Sequence, residues 1–140
     1  MNIEMLAPAA ALAIWTMVML IWMAVTRLPA LKNLKVPGAR SRGGRGCDLD
    51  GVLPDPIQWK AHNYNHLMEQ PTVFYVIVVI LAITGGSQLD LILAWAYVAI
   101  RVIHSFWQAL VNSIPTRLTL FGISSLILLA MSVHALLATI

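Results

Sequence analysis

The sequence predicts an all-α membrane protein, an up-down bundle of four transmembrane helices with almost no soluble part. Three observations predict it. Apolar residues make up 59% of the 140 residues and charged residues only 11%, where a soluble domain carries about 25%. Mean hydropathy is +0.79. Four separate stretches reach the ~20 mostly apolar residues that a membrane-spanning helix needs. So few charges cannot clothe a water-facing surface, so lipid must be the solvent. The length leaves room for one domain, residues 1–140.

The first stretch, residues 5–28, carries no charge from Met5 to Thr26. Glu4 precedes it instead of basic residues, and it is long for a signal sequence, so it reads as a retained helix. Pro8 falls in its first turns, where a missing N–H is tolerated. The segment 29–56 holds Pro29, Pro37, Pro54, Pro56 and the run Arg40-Ser41-Arg42-Gly43-Gly44-Arg45-Gly46, and reads as a loop. The second helix, residues 57–84, contains Pro71, which predicts a kink. Gly85-Gly86-Ser87 ends it. The third helix spans residues 89–111 and is broken by Asn112-Ser113-Ile114-Pro115. The fourth spans 116–140 and carries no formal charge after Arg117. Short second and third connections make the neighbours antiparallel.

A net charge of +3 and a pI near 9.4 invite a nucleic-acid reading, which the distribution opposes. Lys32, Lys35, Arg40, Arg42 and Arg45 fall between two apolar runs, a pattern that sets membrane orientation. Anionic lipid headgroups are their natural partner. The positive-inside rule puts loop 29–56 and the third connection in the cytoplasm and both termini outside. The single Cys47 excludes an internal disulfide and a multi-cysteine metal site. Beside Asp48 and Asp50, it reads as an incidental loop thiol. The five tryptophans fit interfacial and packing roles.

Ionisable groups inside a span cost roughly 2.5–3.5 kcal/mol on insertion scales and by default mark function. Helix two carries His62, Asn65, His66 and Glu69 at i, i+3, i+4 and i+7, which is one face. Helix three carries Arg101, His104, Gln108 and Asn112 in a second stripe. Lipid solvates neither stripe, so the two should face each other. Glu69 and Arg101 each lie about ten residues, hence about 15 Å, from the cytoplasmic surface, which makes an ion pair between them reasonable within or between subunits. One such pair alone is more often helix glue. Two full stripes plus Arg117 at the same end favour a polar cavity open to the cytoplasm. His62 and His66 share the spacing of a zinc-binding helix, but no further ligand beyond Glu69 or His104 is evident, so no metal is expected. His134 reads as a hydrogen-bonded packing or interfacial group.

Two segments, His62-Asn63-Tyr64-Asn65-His66-Leu67-Met68-Glu69-Gln70-Pro71 and Arg101-Val102-Ile103-His104, the latter followed by Asn112-Ser113-Ile114-Pro115-Thr116-Arg117, together resemble the MAPEG family, the membrane-associated proteins in eicosanoid and glutathione metabolism. The likeness is closest to bacterial members and covers helices two to four. It implies a homotrimer of left-handed four-helix bundles, in a bacterial inner membrane, with glutathione between subunits near the cytoplasmic side. Family enzymes are glutathione transferases, peroxidases or isomerases acting on lipophilic substrates. By position, Glu69 resembles the glutamate that holds the glutathione amine, and Asn65 its asparagine partner. Arg101 and His104 match the helix-three arginine and histidine. Arg117 matches the arginine that stabilises the thiolate, and is the catalytic candidate.

His66 and Gln108 complete the expected binding set, with departures. Gln108 stands where eukaryotic members have tyrosine. The basic residues that precede the glutamate are absent, with His62, Asn63 and His66 nearby instead. The resemblance therefore implies a glutathione-dependent transferase or peroxidase acting on lipophilic electrophiles. It leaves open a protein of the same fold that binds a lipid or other small molecule without glutathione chemistry. A small transport protein using Glu69, His66 and His104 is the remaining alternative.

Overall fold

A computed structural model describes residues 1–33 and 43–140. The basic residues Lys35, Arg40 and Arg42 of the predicted loop lie outside the described residues. Four helical spans, Ile3–Asn33, Asp55–Thr84, Gln88–Leu110 and Ile114–Leu137, are long and apolar enough to cross a membrane.

The chain opens with a 3-10 turn at Ile3–Met5, capped by Asn2, whose Oδ1 accepts from the Glu4 N–H. Asn2 also donates its backbone N–H to Ala82 and its side-chain amide to Gly86. This ties the N-terminus to the end of the second span. Helix α1 then runs Leu6–Asn33. It passes through Pro29, beyond the expected end at residue 28. Pro29 offers no N–H to the Val25 carbonyl and crowds it, but only four residues of α1 follow it.

The second span is two helices, α2 at Asp55–Leu67 and α3 at Gln70–Thr84. Pro71 explains the break, since it offers no N–H to the Leu67 carbonyl and its ring crowds that carbonyl. The backbone of Glu69, at φ −89° and ψ −95°, leaves the helical region. At the far end Gly85 adopts φ +88°, the left-handed cap that favours glycine.

Helix α4, Gln88–Leu110, starts at a reciprocal cap between Ser87 and Asp90. Helix α5, Ile114–Leu137, starts after a turn in which Asn112 holds φ +55°. Asparagine tolerates that conformation better than most residues. Helix α2 packs on α1 and α4, α3 packs on α5 and α1, and α4 lies between α1 and α5.

The core is apolar in the half nearer the termini, where Phe74 stacks on Tyr97 at 4.4 Å among Met5, Leu12, Val78 and Met131. Toward the loop end it turns polar, with Asn63, Arg101, His104, Ser105 and Gln108 all buried. Ile14, Ile21, Ile83, Ile92, Leu126 and Leu129 are exposed outside it. A polar interior inside an apolar exterior is stable only in lipid.

At the terminus end, buried Asp90 accepts from the Ser87 N–H at 2.8 Å and the Ser87 hydroxyl at 2.7 Å, and its other oxygen meets His134 Nδ1 at 2.6 Å. This carboxylate caps α4 and ties it to α5, which gives His134 the hydrogen-bonded packing role expected of it. Asp90→Ala should lower stability by about 1–2 kcal/mol, the usual cost of a lost cap. Ligand affinity should not change, because His104 is about 20 Å further along the same helix. Thermal unfolding in detergent, run beside a binding assay, checks both halves.

Candidate functional site

The break at Pro71 frees backbone groups within the membrane-spanning region, and the sequence supplies a partner for them. Arg101 on α4 is fully buried. Its Nη2 donates to the His66 carbonyl at 3.1 Å. A cation on the last carbonyls of α2 also complements the negative end of that helix.

The Glu69–Arg101 ion pair expected from the sequence does not form directly within the chain. Glu69 instead meets His66, Oε2 to Nδ1, at 3.1 Å, and His66 Nε2 lies 3.4 Å from Arg101 Nη1. Guanidinium has no acceptor, so His66 Nε2 receives and Nδ1 carries the proton toward Glu69. The imidazole therefore bridges the two charges. The helix break turns Glu69 outward and leaves its side chain 69% exposed, away from Arg101.

The helix-two stripe is likewise not turned wholly onto α4. Asn65 is exposed beside Glu69, and His62 reaches the loop carboxylate of Asp50 at 2.9 Å. The face of α2 that enters the bundle carries Asn63 and Leu67. Asn63 donates to the Ser105 hydroxyl of α4. Only His66, at the edge of the stripe, reaches the helix-three stripe, its ring 5.1 Å from that of His104 and tilted by 38° to it. On α4 the stripe is buried as its spacing implied, with Arg101, His104 and Gln108 at 0, 2 and 5% exposure. Gln108 Oε1 has no partner among the described residues.

Arg117 stands one turn into α5. Its Nη1 donates to Asn112 Oδ1 at 2.6 Å, so the turn that ends α4 also aims the guanidinium. His66, His104 and Arg117 converge on an open cavity of about 200 Å³, closed on its other side by Ile114, Leu118 and Phe121. Phe121 lies 5.4 Å from His66. Ile114 and Leu118 are exposed, so the mouth has an apolar rim. Asn65, Glu69, Arg101 and Gln108 do not line this cavity. Glu69 and Arg101 flank it through His66.

Two contributions escaped the sequence reading. Gln70 donates to the Ser125 hydroxyl at 2.7 Å and accepts from the Tyr97 hydroxyl at 3.2 Å. Together they tie α3, α4 and α5 just inside the break. Tyr97 precedes Arg101 by one turn, so the helix-three stripe extended to it would have found it. Gln70 gave no such signal, because its direction depends on the break. Among the described residues no group of three or more His, Cys, Asp or Glu side chains is placed to hold a metal.

A four-span membrane bundle with an imidazole- and guanidinium-lined cavity at the broken second span is the class of protein these features define. The model of the MAPEG family matches residues 5–137. The chain belongs to that family, whose members are membrane proteins of the eicosanoid and glutathione metabolism kind. No curated protein and no solved structure matches it.

Proposed function

We propose that the protein is a membrane-embedded glutathione-dependent transferase or peroxidase acting on lipophilic electrophiles. The observation that carries this reading is the aimed guanidinium of Arg117 facing a cavity it shares with His66 and His104. A free thiol has a pKa near 8.5 and is mostly protonated at neutral pH. A cation held beside the sulfur stabilises the thiolate. Glu69, turned outward one turn away, spends one carboxylate oxygen on His66 and has the other to receive an ammonium group. The apolar rim of Ile114 and Leu118 admits an electrophile dissolved in the bilayer.

The cavity is smaller than the ~300 Å³ at which ligand pockets begin. It takes the cysteine side chain from the middle of the tripeptide, and the glutamyl and glycyl arms lie along the face of Asn65 and Glu69. A bare carboxylate facing lipid costs roughly 2.5–3.5 kcal/mol. A second copy of the chain covering that face removes the cost, in keeping with a homotrimer. The basic residues of the first loop put the cavity end toward the cytoplasm.

One observation favours a second reading, a lipid or small-molecule binder without glutathione. Arg101 is occupied by His66, so among the described residues Arg117 is the one guanidinium that lines the cavity. A ligand with two carboxylates prefers more than one fork.

Calorimetry with glutathione on protein purified in detergent separates the two. Binding in the millimolar range or tighter that vanishes in Arg117→Ala supports the first. Silence at millimolar glutathione removes it.

A further inference from the structure

At the loop end, the described part of the first connection folds back onto α2. A short 3-10 turn at Gly46–Leu49 leads to Leu53, which is buried. Arg27 of α1 donates to the Gly46 carbonyl from the other side. This holds one carboxylate oxygen of Asp50 against two α2 side chains. It accepts from Gln58 Nε2 at 2.8 Å and meets His62 Nε2 at 2.9 Å. His62 stands one turn before His66 and two turns before Glu69, on the face that also carries Asn65.

We infer that Asp50 is a built-in competitor for the anionic end of the ligand, seated on His62 where a ligand carboxylate would otherwise bind. The inference rests on the glutathione reading above. His62 lies about 7.5 Å before the end of α2 at Leu67, and Glu69 stands two residues beyond, in the break. A tripeptide backbone reaches at most about 10 Å. A ligand whose amine sits on Glu69 therefore has a terminal carboxylate within reach of His62. That imidazole is the only basic group on the stripe beyond His66, and it already carries a carboxylate in the same role.

Both partners are half exposed, at 44% for His62 and 49% for Asp50. Water and a ligand therefore have access to the contact, and an exposed pair is held weakly enough to exchange. Asp50 thus sets affinity in two ways. It occupies the donor, and its charge repels an incoming carboxylate.

The test compares glutathione with its glycine monoethyl ester, by calorimetry on the full-length protein and on Asp50→Asn and His62→Gln. Asp50→Asn keeps an acceptor for Gln58 but removes the charge. It should bind glutathione about fivefold more tightly, the scale of an exposed charge contact, and bind the ester as wild type does. His62→Gln should weaken glutathione and leave the ester unchanged. Equal gains for acid and ester in Asp50→Asn, or no gain for either, overturn the competitor role while glutathione binding stands. If neither wild type nor Asp50→Asn binds glutathione, the functional reading falls and the inference with it. Thermal unfolding of each variant confirms that the bundle is intact. Should Asp50→Asn unfold, Asp50→Ser makes the same comparison.

Discussion

Arg101→Ala is expected to destabilise the protein by about 3 kcal/mol, and Arg101→Met by roughly a third of that. The guanidinium fills space between α2 and α4 and satisfies the His66 carbonyl at the broken end of α2. Alanine removes both contributions and leaves a cavity. Truncating a large buried side chain to alanine costs about 2–5 kcal/mol, and an interhelical hydrogen bond in a membrane adds roughly 1 kcal/mol. Methionine restores the volume but not the donor, so the His66 carbonyl keeps only the long 3.4 Å bond from the Glu69 N–H, a loss of about 1 kcal/mol. Removing the buried charge returns part of that, because Nε of Arg101 has no partner among the described residues. Both variants release the His66 ring, and both should lose glutathione affinity together. Denaturation in detergent, paired with calorimetry, reads the two effects separately. A methionine variant as stable as wild type would show that the guanidinium does not cap the helix. Its charge would then be held in reserve for an anionic ligand.

The same contacts explain what was legible in the sequence. Four spans could be counted because lipid enforces a simple rule, about 20 apolar residues per crossing. Pro71 announced the kink, and the i, i+3, i+4, i+7 spacing announced the stripes. Spacing gives a face, however, and not the direction in which that face points. Direction depends on the rotation of α2 at the break, where Glu69 leaves helical geometry. Hence the depth argument brought Glu69 and Arg101 to the same level of the membrane but could not foresee an imidazole between them. His62 was lost to the stripe for a related reason. Its partner Asp50 comes from a loop whose path no periodicity encodes. Arg117 was readable as a candidate from its place after Asn112-Ser113-Ile114-Pro115. That Asn112 would aim it follows from a left-handed turn, which the sequence only hints at by having asparagine there.

That turn supplies the sharpest test of the proposed chemistry. Arg117→Ala removes the cation beside the cavity, and kcat/KM should fall by at least about 10²–10³-fold, the usual effect of deleting an electrostatic donor, with weakened binding adding to it. This variant cannot say whether position matters as well as charge. Asn112 can. Its φ of +55° strains alanine, so Asn112→Ala would confound backbone and side chain. Asn112→Gly keeps the turn and deletes only the amide that accepts from Arg117. A guanidinium free to wander should lower kcat about tenfold with KM nearly unchanged, because misplacement harms the thiolate more than the bound thiol. Asn112→Asp holds Arg117 in place but neutralises it. The ultraviolet absorbance of bound thiolate should therefore drop in the aspartate variant at least as far as in the glycine one. Asn112 acts through Arg117, so Asn112→Gly on an Arg117→Ala background should add nothing. A further loss in that double variant, or an unchanged thiolate signal in either single Asn112 variant, would detach the turn from the chemistry and leave Asn112 a structural residue only.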